Sequence, residues 1–507
     1  MAPKNEIQQY VLLPIRGLRD EGRTASAESS SFLLDAFSQF TSLSTKKSVV
    51  AGTGASFTSS VSPQVKIKVL DSIAENGAKL VELSDKQALN LRENQPLLKL
   101  VPVVYYYPQV LRRSVESKTA AASSNKLRLK LVASADDKPV AGARVIAFTD
   151  FANLIGAEAT SNSQGFADLA LGAMSKKLDR IYIYPKKDHW TLVRKNITVK
   201  SGDRIQLAPI DLSFVDSLRH FYGNSPDNAG ANVKVGVVDT GIALDHPDLL
   251  VVGGENTVLG ENPNDFGDNG HGHGTHVGGI IAAKGLPPTG IRGLAPNASL
   301  FSYRVFGKNE GGASNFAIAK AIDRAVQAGC DLINMSLGGG DSDDAVRAAM
   351  EDAVSLGSVV LVASGNDDRS PVSFPASFSP PAIAVSAMGR KGTFPPNTTG
   401  DDSVKKPFGT DTKNFVASFS NVGEEIDLTG TGVAVISTVP GGYAAMDGTS
   451  MATPAVTGFA ARLLSGKQSI LDMPRNPSRS NAITQELFAS AKLMGFGKEF
   501  EGQGLPT

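Results

Sequence analysis

The chain has 507 residues, with 50 Lys+Arg against 50 Asp+Glu and a single cysteine. Its length supports two to four domains with cores of their own. The charge balance offers no basic field for nucleic acid, and one thiol, Cys330, excludes a disulfide within these residues. No apolar run is long enough to span a membrane. The apolar run Val11–Ile15 behind the first ten residues is too short for a secretory core, so residence in the cytoplasm or export by a leaderless route is expected.

Residues 1–64 form an N-terminal segment whose 24–64 stretch, rich in Ser, Thr and Ala, reads as loop or a loosely ordered subdomain. From Val65 the pattern tightens. V-K-I-K-V-L alternates as a strand, N-G at 76–77 turns, D-K-Q-A-L-N-L suits a short helix, and L-L-K-L-V-P-V-V-Y-Y-Y reads as a second strand. This predicts a small α+β unit over 65–111. Residues 112–125 have the composition of an exposed linker. Five or more short β segments over 126–211 predict a β-sandwich, which carries no catalytic constellation and reads as a spacer or docking module. From 212 to 507 near-continuous apolar strands alternate with helical patterns, which predicts an α/β domain with a doubly wound parallel sheet. Such sheets carry their ligand sites at the carboxyl ends of strands, and Asp239 and Ser336 fall at two such ends.

Asp239 ends V-K-V-G-V-V-D-T-G-I, where a part-buried carboxylate can hold an imidazole in one orientation; alone it would be an Asp capping a turn. His273 sits in H-G-H-G-T-H-V-G-G-I, a glycine-rich entry into an apolar helix. Histidines 271, 273 and 276 lack the H-E-x-x-H spacing and have no acid among them, although Asp268 is near, so no metal is expected. His273 is the candidate base and His276, one turn further, a structural residue. Ser450 lies in D-G-T-S-M-A-T-P-A-V, where glycine permits a tight turn and the hydroxyl falls at a helix start, beside free amides that favour an oxyanion. Pro454 is expected within the first turns of that helix. In V-A-S-G-N a strand ends at Ser364, Gly365 turns, and Asn366 offers a second donor.

Together D-T-G with H-P-D-L, H-G-T-H-V-G-G, N-M-S-L-G-G, A-S-G-N and G-T-S-M-A-T-P-A-V resemble the subtilisin family of serine endopeptidases, in that family's Asp, His, Ser order, over residues 214–505. The resemblance implies a subtilisin-like catalytic domain that hydrolyses protein or peptide substrates through a triad of Asp239, His273 and Ser450. Asn366 and the Ser450 amide would form the oxyanion hole. Substrate would lie extended between Glu310-Gly311-Gly312 and Ser336-Leu337-Gly338-Gly339, with Ala363, Ser364 and Gly365 also lining the cleft.

Three departures accompany the resemblance. The loop that binds calcium in many relatives reads K-G-L-P-P-T-G here, without a carboxylate; Asp248 remains as a ligand, but the site is expected to be absent and no cofactor required. A polar insertion from Gly389 to Asn414 is either a selectivity loop on the leaving-group side or simply solvated. The rim Asp367-Asp368-Arg369 offers a preference for basic side chains that the arginine would undo. The 65–111 unit resembles the family's inhibitor propeptides, which implies that Leu98–Tyr107 fills the cleft of a zymogen and that autocatalytic cleavage near Tyr107–Arg113 releases it. P-V-A-G-A-R-V with G-F-A-D-L resembles the carboxypeptidase regulatory-like sandwiches, and this module is expected to stay with the processed product unless a second cut near residue 210 removes it. Two rivals are a non-catalytic protein that keeps the fold to hold a peptide strand, against which the intact set of four residues argues, and an adhesion or carbohydrate-binding module with an appended protease.

Overall fold

A computed structural model describes residues 7–14, 17–19, 67–75, 77–94, 98–111, 113–118, 125–308 and 311–507. The Ser/Thr/Ala-rich stretch 24–64, Val65, Asn76, Arg112 and Glu310 lie outside the described residues.

The first unit is a four-stranded antiparallel sheet, order β2-β3-β1-β4, with one helix. Its elements are β1 (Ile7–Pro14), β2 (Lys68–Ser72), β3 (Lys79–Ser84), α1 (Asp85–Asn94) and β4 (Leu98–Pro102). β1 comes from the segment that the sequence left outside this unit. Its Y-V-L-L core does not alternate because both faces are covered. Tyr10 and Leu12 pack with Ala88 and Leu91, while Val11 and Leu13 join Val305, Phe306 and Ile318 of the large domain. Ion pairs of Arg19 with Asp323 at 2.7 Å and of Lys320 with Asp71 at 2.8 Å fix this docking. The single strand expected up to Tyr107 is broken at Val103-Val104, and a separate β5 (Tyr105–Pro108) leaves the unit for the large domain.

Two facing sheets follow. Strands β6 (Ser117–Lys118), β7 (Leu127–Ala133), β8 (Arg144–Asp150), β9 (Ile155–Thr160), β10 (Phe166–Leu169), β11 (Ser175–Tyr184), β12 (Leu192–Lys200) and β13 (Arg204–Leu207) form one sheet of order β10-β7-β13 and another of order β12-β11-β8-β9-β6. Leu127, Leu129 and Leu131, alternate residues of β7, meet Val145, Ala147, Ile181 and Ile183 across a shared core.

The large domain begins with α2 (Ser217–Tyr222), β14 (Lys234–Asp239), β15 (Val251–Asn256), α3 (His273–Ala282), β16 (Ser299–Arg304), β17 (Ala313–Ser314) and α4 (Asn315–Gln327). It continues through β18 (Leu332–Met335), β19 (Leu337–Gly338), α5 (Asp344–Ser355), β20 (Val359–Ala363), β21 (Ala382–Arg390), α6 (Thr399–Asp402), β22 (Val404–Phe408) and β23 (Asn414–Ala417). Then come β24 (Ile426–Thr431), the antiparallel pair β25 (Val435–Val439) and β26 (Gly442–Met446), and α7 (Thr449–Leu464), ahead of short C-terminal elements that include the helix Pro477–Ala489. Strands β15-β16-β14-β18-β20-β21 are parallel and β24 adds to β21 in parallel. The expected all-parallel sheet is nevertheless mixed, because β23 and β22 close its edge antiparallel. Val235 and Val237 of β14 enter the core beneath α3 and α7, whereas Val238 enters the core beneath α4 and α5, as alternation in a doubly covered sheet requires. Cys330 is a packed thiol, and burial pushes it up to about 12.

Much of the 389–414 insertion is exposed, as a solvated loop would be, but part of it meets the two-sheet unit. Its Asp402 carboxylate takes the Tyr182 hydroxyl at 2.8 Å and pairs with Lys195 at 2.5 Å and Arg180 at 3.4 Å, all from the two-sheet unit. The Asn397 carbonyl accepts from Val193 N–H at 2.7 Å. The insertion is thus the mount on which the β unit sits.

Candidate active site

Asp239 is the last residue of β14 and His273 the first of α3, and both side chains are 0% exposed. His273 Nδ1 lies 2.7 Å from Asp239 Oδ1. The carboxylate also accepts from Thr240 N–H at 2.6 Å, and Thr240 Oγ1 accepts from Gly274 N–H at 2.8 Å, so strand end and helix start are tied together. His273 Nε2 is buried and has no hydrogen-bond partner. An Nδ1–H donated to the carboxylate leaves that second nitrogen as a free base.

Ser450 is the second residue of α7. Its hydroxyl donates to the Ser336 carbonyl at 2.9 Å. Pro454 lies in the second turn of this helix, past the first amides that have no helical partner. The Ser450 carbonyl, which a proline at that position cannot bond, instead accepts from Ser336 Oγ at 3.0 Å. Asn366 Oδ1 accepts from Thr449 N–H and Thr449 Oγ1, each at 3.0 Å, and its Nδ2 is buried without a partner. Buried polar atoms rarely stay unpaired, yet three lie at this site, Asp239 Oδ2, His273 Nε2 and Asn366 Nδ2, and the two nitrogens mark groups held ready for another molecule or another state.

The cleft is filled by the chain itself. β5 runs antiparallel to β17 on one side, Tyr106 opposite Ala313, and to β19 on the other, Tyr107 opposite Gly338. Gln109 N–H donates to the Ser336 carbonyl at 3.1 Å, and the Gln109 carbonyl accepts from Ser450 N–H at 3.0 Å. Leu111 N–H then donates to the Asp447 carbonyl at 2.7 Å. Gly448, at φ 152°, is required here, since a Cβ on it would stand 2.4 Å from the Gln109 oxygen. An extended strand held on both edges, with one carbonyl on the amide of a helix-start serine, is a peptide in an acyl-transfer cleft.

The comparison with known proteins agrees. A model of the subtilase family matches residues 230–504. Subtilisin DY of Bacillus licheniformis is 42% identical over 241 residues, 46% of this chain and 78% of that protein. A subtilisin of Bacillus pumilus is 37% identical over 289 residues, 56% of this chain and 91% of that protein. Subtilisin E of Bacillus subtilis (strain 168) is 38% identical over 289 residues, which cover 66% of its length.

The chain belongs to the subtilase family.

This subtilase is therefore a serine endopeptidase. Of the cleft residues expected from its sequence, Ser336, Leu337 and Gly338 bond or pair with the strand, and Gly339 lies beside it with Gln109 Nε2 3.5 Å from where a Cβ would stand. The opposite edge is Ala313–Ser314 rather than Gly311–Gly312. Gly312 lines the tyrosines, with Tyr105 3.1 Å from its would-be Cβ, whereas Gly311 has nothing within 4 Å. Ala363, Ser364 and Gly365 hold the frame: Ser364 N–H bonds Val385 O at 3.0 Å, and Gly365 N–H bonds Thr449 Oγ1 at 3.3 Å. The groove is occupied by Tyr105–Leu111, while Leu98–Pro102 remains in the first unit's sheet.

His276 is structural as expected, its Nε2 lying 3.1 Å from both Val435 O and Ala444 O, and burial lowers its pKa from 6.5 to about 3. Asp248 is engaged by Ile291 N–H and the Tyr443 hydroxyl, each at 2.9 Å. Arg369 turns inward to the Val416 carbonyl at 2.9 Å while its charge still interacts with that of Asp368.

Sequence reasoning missed the pocket that takes Tyr106. That side chain is 0% exposed, and its hydroxyl meets the Asp343 carboxylate and the Asp341 carbonyl, the latter at 2.9 Å. Burial raises the pKa of both Tyr106 and Asp343. The acid run D-S-D-D after G-G-G was the available signal.

Proposed function

We propose that this endopeptidase is made as a self-inhibited precursor and that the first bond it hydrolyses is Gln109–Val110. The observation that carries the reading is the Gln109 carbonyl 3.0 Å from the Ser450 amide, on a strand bonded along both edges. The segment up to Gln109 is the inhibitor, and the sandwich over 126–211 stays with the processed enzyme because the 389–414 insertion holds it.

In this mechanism the Ser450 hydroxyl swings from Ser336 O to His273 Nε2, gives up its proton there, and attacks the Gln109 carbonyl carbon. Asp239 keeps the imidazole oriented and stabilises it once protonated. The oxyanion gains the Ser450 N–H and Asn366 Nδ2, which is fixed by Thr449 and otherwise unpaired. The C–N bond then breaks, His273 returns the proton to the Val110 nitrogen, and water releases the acyl-enzyme by the same steps in reverse. The reaction as proposed draws on these groups alone and requires no cofactor. Peptide substrates take the place of 105–109 once the inhibitor has gone, with tyrosine favoured at the fourth residue before the cut.

Intact mass over time on wild type and Ser450→Ala tests the reading. The wild type should yield a break between residues 109 and 110, while the variant stays whole and inactive; loss of this nucleophile in a subtilisin costs on the order of 10⁶ in turnover. A Ser450→Ala protein that still cuts peptides would refute the assignment.

A further inference from the structure

We infer that the enzyme also reseals its own cut: the amino group freed on Val110 stays at the leaving side and takes the Gln109 acyl group back from Ser450. The acyl donor is the peptide segment that ends in Gln109, and the acceptor is the Val110 amine. The inference rests on the reading of Gln109–Val110 as the first bond hydrolysed and adds the fate of the piece that leaves.

A leaving group departs only if nothing else holds it, and here the chain beyond the cut is held on two domains. Val110 and Leu111 are partly buried against the large domain's core, and Leu111 N–H donates to the Asp447 carbonyl at 2.7 Å. Arg113 N–H donates to the Tyr184 hydroxyl at 3.3 Å, and its guanidinium reaches Asp368 at 3.2 Å. Val115 packs on the cluster of Phe148 and Tyr182, and its N–H donates to Glu158 Oε1 at 2.6 Å. Glu116 N–H donates to the Leu154 carbonyl at 3.1 Å, and Ser117 and Lys118 pair in parallel with Ile155 and Gly156 of β9. The β unit is in turn fixed to the large domain through Asp402. None of these contacts passes through the bond that is cut, so all of them survive it.

Position decides what the acyl-enzyme does next. The loop before the nucleophile closes on both sides of the cut, since a Cβ on Gly448 would stand 3.0 Å from Val110 Cα and 2.4 Å from the Gln109 oxygen. The Val110 amine has just received its proton from His273, so it occupies the place that a hydrolytic water must take; deacylation by water retraces acylation. With Arg113 anchored, three residues give the amine a leash of about 10 Å. Well-oriented neighbouring groups act at effective molarities of about 10⁵–10⁸ M, whereas a loose tether supplies only millimolar concentrations. In the resealing step the Val110 nitrogen bonds to the Gln109 carbonyl carbon and His273 Nε2 takes the amine proton. The bond to Ser450 Oγ then breaks, and the proton passes to that oxygen. The cut becomes permanent when the tail peels from the β unit, which also clears the leaving side for a peptide substrate.

The test lets the full chain process itself in oxygen-18 water, stops the reaction with acid, and digests with trypsin in ordinary water. The tryptic peptide 100–112 spans the cut. Hydrolysis places one heavy oxygen on the Gln109 carboxyl. Return to the acyl-enzyme expels either carboxyl oxygen as water, and attack by the amine keeps the other in the Gln109 carbonyl. The uncut 100–112 peptide should therefore gain oxygen-18 in the wild type and none in Ser450→Ala. Arg113→Ala combined with Glu116→Pro removes one ion pair and one backbone hydrogen bond from the tail without touching the reacting groups. That variant should carry about tenfold less label in its uncut peptide and proceed further to the cut form. A wild type cut at 109–110 whose uncut peptide stays unlabelled or disappears, or equal labelling in the double variant, overturns the inference and leaves the self-cleavage reading standing. A wild type with no break between 109 and 110 overturns both.

Discussion

Replacing tyrosine by phenylalanine at the fourth residue before the cut removes one oxygen atom and keeps the ring. In the groove that oxygen belongs to Tyr106, wholly buried, and its single proton goes to Asp343 Oδ2. The other carboxylate oxygen already serves Ala345 N–H at 2.8 Å, Val346 N–H at 3.0 Å and Asn315 Nδ2 at 3.3 Å. Phenylalanine therefore strips from Oδ2 the one side-chain donor found among the described residues and leaves it facing a ring. A hydrogen bond to a charged group is worth about 1.5–3 kcal/mol, which is roughly 10–150-fold in kcat/KM. The assay compares two peptides copying residues 105–116, one carrying Tyr106→Phe, at pH 8. Burial raises the Asp343 pKa, so an alkaline medium keeps the carboxylate charged. Asp343→Ser should compress the ratio toward one without unwinding α5, because serine still caps its first amides. A ratio within twofold in the wild type would refute the claim that Asp343 reads the hydroxyl.

Asn366→Ala should lower kcat by about 10²–10³ with little change in KM, a range established on a subtilisin and carried over on the matching geometry; a fall under tenfold would remove Asn366 from the oxyanion hole. His276 gives a pH dependence. Its folded pKa of about 3 lies below the ordinary 6.5, so as pH falls the unfolded chain binds the proton first, and stability is lost from about pH 6.5 down to about 3. The loss at pH 5 is about 2 kcal/mol. His276→Gln, measured by denaturant unfolding at pH 7 and pH 5, should therefore be nearer to wild type in stability at pH 5 by that amount, and parallel pH profiles would show that His276 does not carry the term.

Asp239, His273, Ser450 and Asn366 were legible because each sits where local chemistry leaves little choice. An apolar strand ends at an acid followed by Thr-Gly, and glycine-rich turns open helices at His273 and just before Ser450. These conformations follow from φ preferences and the periodicity of a few neighbouring residues, which the sequence carries directly. The β segments of 126–211 were legible for the same reason, since one face of each is buried and the alternation survives.

Tertiary packing decided the rest. β1 was hidden because a strand covered on both faces loses its alternation, and its partners lie more than sixty residues away. The run ending at Tyr107 reads as one strand, yet its two halves serve different sheets, and only competition between two sheet edges selects the break at Val103-Val104. Tyr106 meets Asp343, the insertion's Asp402 meets Arg180 and Lys195, and Arg369 turns to Val416 instead of the rim. Each pairing closes a loop of tens to hundreds of residues, so the local sequence, even the acid run that includes Asp343, does not say which distant group it will face. The sequence by itself determined the reacting groups and the helices and strands that present them; the partners each group faces were determined by which surfaces the folded domains brought together.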